Sequence, residues 1–199
     1  MSIDRLRMTA PYALPLSPNK RNPLHNRAIN VHSFERDDGL WDLEAELIDD
    51  KSYSFDKRDG SVHPAGKPFH HMHLRITIDR SYNILDALVV YDAAPYGENC
   101  TTIAPAYQEL VGMNLLKSFR QAVKERFART KGCSHITELA GVLPTVALQS
   151  MANERHKPEG DQTDKQPFQL EGCHALRLNG PVVEEFYPQW YVAPKSASV

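Results

Sequence analysis

Between Gly39 and Ile48 the chain alternates without a break. Trp41, Leu43, Ala45 and Leu47 are apolar, and Asp42, Glu44 and Glu46 between them are acidic. A side-chain period of two suits a strand with one buried and one wet face, and a helix cannot satisfy it. Arg27 to Phe34 reads as a second strand, joined to the first by the turn Asp37-Asp38-Gly39. Pro68 to Asp79 and Tyr82 to Asp92 read as two more, separated by Arg80-Ser81. The polar stretch Lys51 to Lys67, with Gly60, Pro64 and Gly66, reads as a loop. The first half is therefore expected to be an antiparallel meander.

After Ala93-Ala94-Pro95-Tyr96-Gly97 the period changes. Pro105 suits the first turn of a helix, and Leu116, Phe119, Val123 and Phe127 recur at helical spacing. Gly132 is the expected terminator of that helix. Ser134 is the expected cap of the next, with Glu138 in its first turn and Pro144 breaking it near Leu143. Asn153 to Pro167 reads as a long polar loop, a lid or a mobile segment. Cys173 to Leu178 and Pro181 to Tyr187 flank Asn179-Gly180 and read as a hairpin, which would set His174 opposite Glu185. The expected class is α+β: an antiparallel sheet from the meander and the C-terminal hairpin, packed against two or three helices. Residues 1–23, with four prolines from Pro11 to Pro23, read as an extended arm, 24–191 as a single domain and 192–199 as a tail.

Composition narrows the function classes. The chain has 199 residues and a formal net charge of -2, so no global field draws it to nucleic acid. The basic stretch from Lys117 to Lys131 is interleaved with apolar residues, which suits the wet face of an amphipathic helix. No apolar run approaches a membrane span, and no N-terminal signal segment is visible. Three cysteines, Cys100, Cys133 and Cys173, do not make a disulfide framework. A cytoplasmic location with reduced thiols is the expectation. A P-loop and a dinucleotide-binding glycine fingerprint are both missing, so a nucleotide cofactor is not expected.

Nine histidines are present, and three fall in Phe69-His70-His71-Met72-His73. Strand alternation splits them. His70 shares a face with Met72, Leu74, Ile76 and Ile78 and points to the core, where desolvation would keep it neutral and basic. His71 and His73 share the other face and could hold a divalent metal with a carboxylate from the neighbouring acidic strand, Glu44 in the first instance. Cys133 and His135 flank a helix start, where exposed N–H groups lower a thiol pKa and where Glu138 could hold either group.

Those residues also carry a resemblance. Leu24-His25-Asn26-Arg27, Asp38-Gly39-Leu40-Trp41-Asp42, Asp49-Asp50-Lys51-Ser52-Tyr53, His70-His71-Met72 and Gly132-Cys133-Ser134-His135 resemble a bacterial family, the domain of unknown function numbered twenty-eight eighty-nine. So do Ala104-Pro105-Ala106-Tyr107, Thr137-Glu138-Leu139, Cys173-His174-Ala175-Leu176 and Tyr187-Pro188-Gln189-Trp190-Tyr191. The resemblance implies cytoplasmic bacterial proteins found among catabolic genes for aromatic or acyl compounds. His70, Cys133, His135 and Glu138 match its pattern. His71 and His73 depart from it, since the family is associated with an acidic and an aromatic residue there. A metal pair at those positions would be a specialisation of this chain.

The leading expectation is a catabolic enzyme acting on a small aromatic or phenolic molecule. Its chemistry would be lyase-type, such as carbon–carbon cleavage releasing a small aldehyde, ahead of isomerase or hydrolase. His70 or His135 would be the general base, with Glu138 and Cys133 in the catalytic set. Arg36, Lys51, Tyr53 and Tyr96 would bind substrate. A metal- or iron–sulfur-binding module built on Cys133 and His135 is the first alternative, and a non-catalytic accessory subunit the second. The arm leaves a homodimer open.

Overall fold

A computed structural model describes residues 14, 17–152 and 166–194. Most of the proline-rich arm, and most of the expected lid at 153–167, lie outside the described residues. The chain divides into two compact units, Met1–Met151 and Ala152–Val199.

In the first unit, strands β1 (His25–Glu35), β2 (Trp41–Lys51), β5 (His70–Ile78) and β6 (Ile84–Ala93) form one antiparallel sheet in the order β1-β2-β5-β6. The expected meander is present. Arg36 and Leu40 close the β1–β2 turn through a 2.9 Å backbone hydrogen bond. Gly39 takes φ 79 there, a left-handed conformation that glycine adopts without steric cost. The register sets Trp41 opposite Ile78 at one end of the β2–β5 pair and Asp49 opposite His70 at the other. The segment expected to be a loop holds a small hairpin, β3 (Phe55–Asp56) with β4 (Val62–His63). Two paired residues per strand are too few for an alternation to be visible in sequence.

One face of the sheet is dry. Trp41, Leu43, Ala45 and Leu47 of β2 and Met72, Leu74, Ile76 and Ile78 of β5 are all buried. Helices α1 (Glu98–Thr101), α2 (Phe119–Arg126) and α3 (Ser134–Ser150) follow β6, with a 3-10 turn at Ala104–Leu110. α3 contacts β1, β2 and β5, while the 3-10 turn contacts β6. Ile136, Leu139, Ala140, Leu143 and Ala147 of α3 enter the same core. The opposite face of the sheet carries Asp42, Glu44 and Glu46 of β2.

Several expected helix boundaries move. α2 ends at Arg126, well before Gly132, whose backbone is extended. Gly132 has another task. A Cβ there would lie 2.6 Å from Phe127 Cβ and 3.0 Å from the Tyr107 hydroxyl, so its missing side chain permits a close approach. The cap of α3 is Cys133 rather than Ser134, with no side-chain capping bond, and Glu138 lies beyond the first turn. Pro144 does not break α3, which runs through it to Ser150. Arg120 Nε donates to the Gly141 carbonyl at 2.8 Å beside the proline, and Pro144 itself is buried. Packing on the core carries the helix past the residue that local propensity alone would use to end it.

The expected C-terminal hairpin is also overturned. The second unit has 3-10 turns at His174–Leu176 and Pro188–Trp190 and a short helix at Pro181–Phe186. Gly180 has φ -102, whereas the tight Asn-Gly hairpin turn needs φ above zero at both central residues. Pro181 then starts a helix, a position where its lack of an N–H is harmless. His174 does not meet Glu185. Arg177 donates to the His174 carbonyl at 2.8 Å and stands 3.3 Å from its ring nitrogen.

Candidate functional site

The β2 alternation continues one step past its apolar residues. Asp49 follows Trp41, Leu43, Ala45 and Leu47 on the dry face and is 1% exposed. A carboxylate cannot stay ionised at such a position without partners. Asp49 has four. Arg27, opposite it on β1, donates from Nε to Oδ1 and from Nη2 to Oδ2, each at 2.7 Å. His70, opposite on β5, places Nδ1 2.9 Å from Oδ2. His25 Nε2 lies 3.2 Å from Oδ1, and His135 Nε2 lies 3.6 Å from Oδ2.

The resulting balance favours the anion. Burial alone would raise the Asp49 pKa, but the Arg27 and His70 hydrogen bonds outweigh it and hold it at about 2. His70 moves the opposite way to an ordinary ion-paired histidine. Burial and the neighbouring His135 lower its pKa and outweigh the pull of Asp49. His70 is thus a neutral imidazole over an ionised carboxylate.

His135 reaches the site from the start of α3, and its ring centroid is 4.0 Å from that of His70. The two histidines thus converge at the sheet–helix seam. Cys133, one residue before α3, has Sγ 3.8 Å from His135 Nδ1. Burial opposes the thiolate, yet His135 and the backbone N–H groups of Ile136 and His135 bring the thiol down to about 7. Tyr107 anchors this corner, because its hydroxyl accepts from the Cys133 N–H at 2.8 Å and lies 3.1 Å from Thr137 Oγ1. The close approach that Gly132 allows seats Cys133 here. The Tyr91 hydroxyl is buried beside the Cys133 thiol. Burial, ahead of the neighbouring thiol, pushes its pKa well up, so it is held as a neutral donor.

Other expected residues are distributed unevenly. Glu138 does not hold either imidazole. It accepts from Arg27 Nη1 at 2.6 Å and acts on Asp49 only through that guanidinium. Lys51 sits two residues beyond Asp49, with Nζ over the rings of Phe55 at 4.2 Å, Tyr53 at 5.4 Å and Phe69 at 5.6 Å. Phe69 in turn lies 4.7 Å from His70, and His63 stacks on Phe55 at 4.9 Å. An aromatic strip therefore runs from the small hairpin to the histidine pair. Arg36 is bound to Asp38 and Asp42 at the other end of β2. Eight strand residues separate that end from Asp49, about 26 Å at the usual rise, so Arg36 is not part of this site. Tyr96 is 63% exposed in the turn before α1, and no hydrogen bond or ring contact among the described residues joins it to the pair. Cys173 is exposed and belongs to the second unit.

His71 and His73 lie on the outer face as expected, but their carboxylates are Glu46 and Asp92. The register places Glu46 opposite His73, while Glu44 is opposite Arg75. Arg27, Asp49, His25 and Tyr91 were not among the expected site residues. For Asp49 the signal was present, since the alternation that buries Leu47 also buries the residue two positions on.

Sheet, helices and site define an α+β protein with a histidine pair seated on a buried aspartate. The chain belongs to the family described as "Protein of unknown function (DUF2889)", whose model matches residues 25–149. That range spans Arg27, Asp49, His70, Cys133, His135 and Glu138. No curated protein and no solved structure matches the chain. Among the described residues no helix is long and apolar enough to cross a membrane.

Proposed function

We propose that the protein is a catabolic enzyme that acts on a small aromatic or phenolic molecule by histidine acid/base chemistry, of lyase type. One observation carries the reading: His70 and His135 lie ring to ring at 4.0 Å and both face Asp49. Two adjacent imidazoles resist double protonation, so one is held as base while the other is free to act as acid. Asp49 fixes their orientation, and Arg27 keeps Asp49 from taking the proton itself. The strip of Phe69, Phe55 and Tyr53 with Lys51 suits a phenolic ring and its developing anion.

For a β-hydroxy substrate, the neutral histidine removes the hydroxyl proton. The carbon–carbon bond breaks, and the oxygen-bearing carbon leaves as an aldehyde. The bonding pair passes to a conjugated carbonyl, and the protonated histidine returns a proton to the carbanionic carbon. No oxidant or nucleotide is required.

The test is aldehyde release from phenolic ketones bearing a β-hydroxyalkyl group. Wild-type protein is expected to turn over, and His70→Ala and His135→Ala each to lose on the order of a hundredfold or more. Full turnover in both variants would overturn the assignment.

A second reading rests on the order Cys133, His135, Asp49, with gaps of 3.8 Å and 3.6 Å. A thiolate nucleophile with its base and orienting carboxylate would favour acyl transfer. Cys133→Ser separates the two, since it would abolish acyl transfer and leave proton transfer largely intact. Metal binding by Asp49, His70 and His135 is opposed by Arg27, which already occupies both oxygens of the carboxylate.

A further inference from the structure

We propose that the outer face of the sheet carries a divalent metal site, with His71 and His73 as nitrogen ligands, Glu46 as the oxygen ligand and Asp92 as the carboxylate that orients the imidazoles. Three strands bring the set together. Glu46 comes from β2, both histidines from β5 and Asp92 from β6. His71 Nε2 lies 2.9 Å from Glu46 Oε1, and His73 Nε2 lies 2.9 Å from Asp92 Oδ2. His71 Nδ1 is 3.6 Å from that same Asp92 oxygen. Ligand atoms of Glu46, His71 and His73 all fall within 4.8 Å of one another. A tetrahedral ion with bonds near 2.1 Å separates its ligands by about 3.4 Å, so small side-chain turns bring these three atoms onto one ion, with Asp92 beside the other nitrogen of His71.

Three features distinguish this cluster from ordinary surface ion pairs. The imidazoles are an i, i+2 pair on a rigid central strand, with ring centroids 4.7 Å apart. Asn30 Nδ2 holds the second oxygen of Glu46 at 3.2 Å, a supporting contact that fixes the carboxylate's orientation. Finally, no arginine or lysine bridges these two carboxylates among the described residues, unlike Asp49 on the dry face. Arg75 is directed to Glu44, at 4.0 Å.

The set also opens onto space. His73, Glu46 and Asp92 line a shallow cavity of about 460 Å³ on this face, with Leu88, Val90 and Arg75. Two nitrogen ligands and one carboxylate suit Zn²⁺, and leave the fourth position on the cavity side for water or a further anion.

The experiment uses the full chain without a histidine tag, titrated with Zn²⁺ by calorimetry and with Co²⁺ by visible absorption. The expected result is one equivalent of Zn²⁺ and a four-coordinate Co²⁺ spectrum. Affinity should fall more than tenfold in His71→Ala and in His73→Ala, and less in Glu46→Gln, with an unchanged circular dichroism spectrum. His70→Ala, on the opposite face, should bind as wild type does. Absence of Zn²⁺ binding by the wild type would overturn the proposal. So would binding untouched by His71→Ala and His73→Ala, or binding lost in His70→Ala.

Discussion

The two faces of β5 hold similar chemistry under opposite conditions. On the dry face, His70 meets a carboxylate that is 1% exposed and must be matched by Arg27 and three imidazoles. On the wet face, His71 and His73 meet Glu46 and Asp92, which water already solvates. Distances of 2.9 Å recur on both sides. What differs is the cost of leaving a partner out. Desolvation turns the inner contacts into a fixed, interdependent site, while the outer ones stay exchangeable and available to an ion.

The sharpest way to break that contrast is to remove a single partner on each face. Arg27→Ala leaves the Asp49 carboxylate buried with imidazoles alone, and should lower unfolding free energy by about 3 kcal/mol in urea denaturation. Glu46→Gln, on the wet face, should change it by less than about 1 kcal/mol. Equal effects would show that burial does not separate the faces.

Acid should sharpen the same difference. The folded pKa of Asp49 is about 2 against an ordinary 3.8, so the anion stabilises the fold above 3.8. That stability is lost as pH falls from 3.8 through about 2. The loss is about 2 kcal/mol, and it should be missing from the pH-dependence of Asp49→Asn. His70 acts in the same sense at higher pH. Its folded pKa lies below 6.5, so the unfolded chain takes up the proton first and stability declines as pH drops through 6.5. Turnover that depends on neutral His70 should fall only below its lowered pKa.

A smaller effect concerns the thiol. Cys133 should be alkylated by iodoacetamide with a midpoint near pH 7, and His135→Ala should move that midpoint toward 9.0. An unmoved midpoint would separate the cysteine from the histidine pair.

Much of this could be read from the chain alone. Period-two alternation located β2 and sorted the faces of β5, because it reflects a local rule about side-chain direction, and turn signals bounded the other two main strands. The same rule sent His70 inward and His71 with His73 outward. It stopped short at Ile48 and so missed Asp49, although one further step of the alternation reaches it. Arg27 carried no such signal: its importance comes from lying opposite Asp49, a relation set by strand register. Pro144 and Gly132 were misread for a related reason. Local propensity assigned them to helix ends, but core packing carries α3 past the proline, and close contact with Phe127 and Tyr107 explains the glycine. Asn179-Gly180 failed because Pro181 favours a helix start over a second strand.

By itself, then, the sequence determined the class of fold and the faces of the strands. Those follow from periods of two and 3.6, which the chain carries locally. Only the tertiary structure decided that Asp49 lies beneath both histidines, that Arg27 rather than Glu138 balances it, and that Glu46 rather than Glu44 faces His71 and His73. Each of these depends on register between strands distant in sequence, and register is set by how the whole apolar face packs rather than by any residue's own preference.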